Sequence, residues 1–239
     1  VSARRPPTHA ASAPSTSAAA TGRNVAALLA RAWRLRVSGA DLVPGQGPVV
    51  LAANHTAFLD GLMLVASSPR PVHVLTEADV FLPPFDRALT AAGQIRIDPD
   101  GADRTALRRA RAVLDADGVI GMFPEMRRGV GDVRHLDHSI AYLCAHSDAT
   151  VVPVAILGAR PHGGGRDSLP RFRSRIDVVF GDPVEVRVDG DPRRRAVLAR
   201  SGERVRQILA DHVRTACLRT GQTLPDPLPG TTPDHRSDS

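Results

Sequence analysis

The sequence predicts an α/β domain with a central mixed, largely parallel sheet flanked by helices. Short continuous apolar runs at 48–53, 119–123 and 151–157 read as strands buried on both faces. Segments of helical period lie between them, at 62–66, 103–114 and 140–145. Strands that alternate with helices favour parallel pairing through crossovers.

In chain order, residues 1–22 are rich in Ala, Ser, Thr and Pro without periodicity and are expected to form a disordered tail. A single folded domain is expected over 23–220. A helix is predicted over 24–36, with Asn24 as N-cap and Val25, Leu28, Leu29 and Trp33 on one face among Arg23, Arg31, Arg34 and Arg36. Trp and Leu opposite Arg is the composition of an interfacial helix, and equally of a helix packed on its own domain. The core spans 37–190. Its strands are expected at 48–53, 72–76, 94–97, 119–123, 151–157, 176–180 and 184–188. Asp-Pro-Asp-Gly at 98–101 is a turn signal, and Pro124 stops the fourth strand. Asp191 and Pro192 mark the start of a last helix over 192–219, with Leu198, Val205, Ile208, Leu209 and Ala216 inward. Residues 221–239 return to Pro, Gly, Asp and Thr and are expected to be a second disordered tail.

The 239 residues carry a formal charge of +6, and every one of the 31 basic residues is Arg. Arg binds phosphate as a planar fork, which points to anionic lipid, phosphorylated substrates or nucleic acid. Aromatic residues make up 3% of the chain and acidic residues are interspersed. Nucleic-acid binding is therefore the weakest of the three. No run reaches the about 18 apolar residues of a membrane span. Cys144 and Cys217 have neither metal-site nor disulfide-framework spacing, and a reducing cytoplasm is expected. Pro161-His162-Gly163-Gly164-Gly165 lacks the G-x-S-x-G that would make it an oxyanion loop, and reads as a flexible loop. His135, His138 and His146 lack a metal-site spacing, so no metal is expected.

The chemistry-bearing segment is Asn54-His55-Thr56-Ala57-Phe58-Leu59-Asp60, directly after a buried strand. Catalytic groups in open α/β sheets sit beyond the carboxyl ends of strands. A His with an Asp five residues on can form a dyad if the chain turns between them. The carboxylate then fixes the tautomer, and the imidazole serves as general base. Thr56 could cap the helix that carries Asp60. Two later segments also sit at strand ends: Phe123-Pro124-Glu125 and Val152-Pro153-Val154.

In this order the segments resemble the glycerol-phosphate and lysophosphatidate acyltransferase family. That family carries an N-H-x-x-x-x-D block, a G-x-I-x-I-D-R-like block, an F-P-E-G-T-R-S block and a V-P-V block. The first block is fully matched. Gly93-Gln94-Ile95-Arg96-Ile97-Asp98 resembles the second, with Pro99 in place of its Arg. In the third, Met126 and Arg127 replace Gly and Thr, and Arg128 matches the Arg. Residues 135–139 lack the family's Lys and Gly.

The resemblance implies a catalytic pair, His55 and Asp60, and a substrate-binding set of Asn54, Arg96, Phe123, Pro124, Glu125 and Arg128. It implies direct attack of an acceptor hydroxyl on an acyl thioester, without an acyl-enzyme. The co-substrate would be acyl-CoA or acyl carrier protein, with no cofactor. The acceptor would be a lysophospholipid or glycerol phosphate. The expected location is cytoplasmic, peripheral on an anionic inner membrane face. The altered second and third blocks keep two alternatives open: an acyltransferase for a non-phosphate acceptor, and a non-catalytic lipid-binding relative.

Overall fold

A computed structural model describes residues 13–228, except 82, 84, 99–102, 138, 187, 189 and 192–193. The strands are β1 (Arg34–Ser38), β2 (Val49–Ala53), β3 (Val72–Glu77), β4 (Ile95–Ile97), β5 (Val119–Met122), β6 (Thr150–Leu157), β7 (Arg175–Phe180) and β8 (Val184–Glu185). They form one sheet in the order β1-β7-β6-β2-β5-β3-β4, with β8 paired to β6. β6 is antiparallel to β7 and β8, and all other pairs are parallel. The sheet is thus mixed and largely parallel, as the sequence predicted. β2 lies at its centre and all five of its residues are buried, which is why its sequence is an unbroken apolar run.

Helices cover both faces. α1 (Thr16–Ala30) and α2 (Asp60–Ser67) pack with Leu51, Val74, Val154 and Phe180 on one side. α4 (Arg104–Leu114), α5 (Ser139–Ala145) and α6 (Arg195–Thr220) pack with Val50, Ile120, Val151 and Val179 on the other. Alternate residues of each strand feed the two layers, as the strand period requires. The short α3 (Phe85–Ala91) follows β3. Asp103 caps α4 through the backbone N–H groups of Thr105 and Ala106, at 3.0 and 2.9 Å.

The amino-terminal expectation is corrected. The first helix starts at Thr16, inside the stretch expected to be an unordered tail, with Ser15 as its N-cap and Asn24 inside it. The reason is propensity: this stretch is rich in Ala, the best helix former. Its buried face is Ala19, Ala26 and Ala30, small enough for close approach to the domain, while Val25, Leu28 and Leu29 face outward. The helix ends at Ala30 rather than 36. Arg34 to Ser38 instead form an edge strand parallel to β7, and its exposed Arg34 and Arg36 blunt that edge. The last helix begins at Arg195 with Arg194 as N-cap. Pro192, Arg193 and His138, the 98–101 turn beyond Asp98, and the tails before 13 and after 228 lie outside the described residues.

Pro153 lies inside the sheet, where proline is normally excluded. Its carbonyl accepts the Gly181 N–H at 2.8 Å. Gly181 sits in the gap between β7 and β8, so the missing proline N–H falls where the ladder is interrupted.

Candidate active site

β2 ends at Ala53, and the next seven residues fold into a compact hook. Asp60, the first residue of α2, turns its carboxylate back on the chain that precedes it. Oδ2 accepts hydrogen bonds from Thr56 N at 2.6 Å and Ala57 N at 2.7 Å, and lies 2.9 Å from His55 Nδ1. Thr56 does not cap the helix: the N-cap is Leu59, without a side-chain bond, and the Thr56 hydroxyl is 3.4 Å from Asp60 Oδ1. Asp60 is fully buried. A carboxylate is an acceptor, so the proton lies on Nδ1 and the Nε2 lone pair is left for chemistry. Phe123 stacks on the imidazole, with ring centroids 4.2 Å apart and planes 20° from parallel. One edge and one face of the base are therefore fixed.

Glu125 reaches His55 by strand register. Ala52 pairs with Met122, and both His55 and Glu125 lie three residues further on. Glu125 Oε2 accepts the His55 backbone N–H at 2.7 Å, and Oε1 accepts that of Val133 at 3.2 Å. Burial pushes the Glu125 carboxyl up to about 7; the two N–H donors oppose this, and Asp132 and Asp60 add to it. The loop from 123 to 133 is drawn over the hook at two more points. Gly129 N donates to the His55 carbonyl at 2.9 Å. Gly131, at φ +79°, passes so close that a Cβ would lie 2.4 Å from Thr56 Cγ2. Met126, standing where the resembled block has Gly, adopts φ 61°, and Val133 adopts φ 57°. Such angles are costly for side chains of these types, and they gather here beside Glu125.

The other expected residues divide. Asn54 is fully buried, and both ends of its amide bond the Ile156 backbone, at 3.2 and 2.7 Å. It locks β2 to β6 beneath His55. Pro124 is buried, and its carbonyl accepts from Asp137 N at 2.7 Å. Arg96 is not brought to the hook. It is exposed between the inward Ile95 and Ile97 on edge strand β4, with β5 and β3 between it and β2. Arg128 is buried and held by carboxylates: Nη1 lies 3.0 Å from Asp167 Oδ1, and Nη2 3.1 Å from Asp79 Oδ2.

Sequence reasoning missed Glu77, Asp79, Arg160, Arg166 and Asp167. Arg160 follows β6, and its guanidinium is buried beneath the loops. It donates to the carbonyls of Gly164, Gly129 and Asp226 at 3.0, 2.9 and 2.8 Å. Burial lowers its pKa, while Asp60 and Asp226 act the other way. The signal that could have found Glu77 and Arg160 is their place at or just past strand carboxyl ends.

The arrangement is an imidazole oriented through Nδ1 by a buried carboxylate, at the carboxyl edge of the parallel strands. That is the apparatus for deprotonating a hydroxyl. Comparison with known proteins bears on the fold and the family. The structure is similar to the 1-acyl-sn-glycerophosphate acyltransferase PlsC from Thermotoga maritima, with TM-score 0.60 and 18% identity over 86% of this chain and 78% of that one. At that identity the likeness is one of fold. The model of the acyltransferase family matches residues 34–157, more than half of the chain, including the whole hook, Phe123 and Glu125. The chain belongs to the acyltransferase family.

Proposed function

We propose that this acyltransferase moves a fatty acyl group from a thioester, acyl-CoA or acyl carrier protein, onto the hydroxyl of a glycerolipid acceptor. The observation that carries this reading is the His55–Asp60 contact at 2.9 Å, with Phe123 stacked on the ring. His55 Nε2 takes the proton as the acceptor oxygen attacks the thioester carbonyl. The tetrahedral intermediate then collapses, and the thiolate leaves with the proton returned by the imidazolium. Asp60 holds the tautomer and stabilises the cationic ring. Each Glu125 oxygen keeps a lone pair beyond its backbone bond, so the residue can accept from an acceptor hydroxyl.

A membrane surface is the expected source of acceptor. Leu169 and Phe172 are 58% and 73% exposed in the loop between β6 and β7, flanked by exposed Arg171 and Arg173. Trp33 Nε1 donates to the Pro170 carbonyl at 3.2 Å, which joins this loop to the end of α1 with its exposed Leu28 and Leu29. No acidic residue occurs in 13–40 or in 168–176. The loop leaves the carboxyl end of β6, the end of the sheet that carries His55. Apolar tips ringed by Arg fit an anionic bilayer. Among the described residues no helix is long and apolar enough to cross a membrane.

Mass spectrometry of a lysolipid and monoacylglycerol panel incubated with palmitoyl-CoA, then with palmitoyl carrier protein, tests the reaction. An acceptor that gains one acyl group with wild type and not with His55→Ala supports it. A panel left unchanged with both donors rejects it.

A further inference from the structure

We infer that the acceptor subsite beside the catalytic loop takes an uncharged lipid hydroxyl, as in a monoacylglycerol, and excludes a phosphate monoester. The inference rests on the acyl-transfer reading and concerns which acceptor it serves. Three carboxylates and two guanidinium groups meet where β3, the 123–133 loop and the β6–β7 loop converge. Arg128 Nη2 lies 3.1 Å from Asp79 and 3.9 Å from Glu77 Oε2, and its Nη1 lies 3.0 Å from Asp167. Arg166 Nη2 lies 3.2 Å from the same Glu77 oxygen and 3.8 Å from Asp79. The cluster is one negative charge in excess. It adjoins the base through Gly129, the residue after Arg128, which is bonded to the His55 carbonyl.

A phosphate dianion could reach either Nη of Arg128 only by displacing the carboxylates paired there, and at Nε it would still lie against Glu77, Asp79 and Asp167. Like charges so juxtaposed discriminate strongly against a ligand. No substitute cation is offered by Arg160, whose guanidinium bonds three carbonyls, or by Arg96, which is exposed at the sheet edge. A hydroxyl meets the opposite situation. Glu77 Oε1 is buried with no hydrogen-bond partner, as are Arg166 Nε and Arg128 Nε, the latter on a side chain only 5% exposed. One unpaired acceptor and two unpaired donors suit a hydroxyl, which donates one hydrogen bond and accepts two.

The test uses Asp79→Asn/Asp167→Asn, which removes two exposed carboxylates and leaves the two Arg outnumbering Glu77. Binding of glycerol 3-phosphate is measured by calorimetry, and acyl transfer is compared for monoacylglycerol and lysophosphatidate of one chain length. We expect no measurable glycerol 3-phosphate binding in wild type and measurable binding in the variant. We also expect wild-type kcat/KM to favour monoacylglycerol by about tenfold or more, and the variant to lose that preference. Glycerol 3-phosphate binding by wild type, a wild-type preference for lysophosphatidate, or a variant that gains no binding would overturn the inference. If neither acceptor is acylated, the acyl-transfer reading fails, and the binding comparison still decides the charge argument.

Discussion

The backbone N–H of His55 donates to Glu125 Oε2 at 2.7 Å, so the acid of the third sequence block supports the base of the first. The same carboxyl is pushed up to about 7 by burial, from an ordinary 4.5. A folded value above the unfolded one means that the folded protein keeps a proton the unfolded chain releases. Its contribution to stability is therefore complete below about 4.5 and lost as pH rises through about 7. Comparing urea unfolding of wild type and Glu125→Gln across this range should show the wild type falling relative to the variant, by at most about 3 kcal/mol. A difference independent of pH would contradict the assignment.

Asp60→Asn should lower kcat by about 10³- to 10⁴-fold, because an amide NH2 donating to Nδ1 fixes the tautomer with the proton on Nε2, which is then no longer basic. KM should change far less, since Asp60 is buried under the hook and away from substrate. Steady-state kinetics with a saturating thioester donor separate the two.

Two neighbouring glycines make a paired stability test. Gly131→Ala places a methyl group 2.4 Å from Thr56 Cγ2 and 2.8 Å from Asn54 Nδ2, at a φ of +79°. It should cost about 2–4 kcal/mol and reduce turnover by moving the His55 segment. Gly129→Ala meets nothing within 4 Å and should change stability by about 0.5 kcal/mol or less. Thermal unfolding of the two variants would show whether the loop lies as closely on the hook as described.

Replacing Leu169 and Phe172 with Ser should weaken binding to vesicles containing phosphatidylglycerol by about tenfold or more. Replacing Arg171 and Arg173 with Gln should cost about 1 kcal/mol per residue at low salt and much less at high salt. Vesicle sedimentation measures both. Equal binding by all variants would move the membrane contact elsewhere on the protein.

The sheet was legible where strands are buried on both faces. β2, β5 and β6 announce themselves as unbroken apolar runs, and the hook after β2 could be placed at a strand end from sequence alone. α1 was not legible in full, because its buried face is alanine, which carries little hydropathy signal and was read as tail composition. Nor was β1: Arg34 to Ser38 alternate, but five residues after a helical pattern are easily absorbed into it. Arg128 was found by its block, yet its partners Glu77, Asp79 and Asp167 come from segments far apart in sequence, and ion pairs of that kind leave no spacing to read. Arg96 is expected near substrate from the resemblance of residues 93–98 to the family's second block, where Pro99 replaces the Arg. The three-residue strand that carries it presents Ile95 and Ile97 inward, which turns the Arg outward.

The most direct test of the central claim is acceptor-dependent thiol release from palmitoyl-CoA, with wild type beside His55→Ala and both checked for equal folding by circular dichroism. The account predicts release by wild type only when a hydroxyl lipid is present, and a loss of at least about 10³-fold in the variant. Release at the same rate by both proteins would contradict it, and show that the imidazole held by Asp60 and Phe123 is not the base.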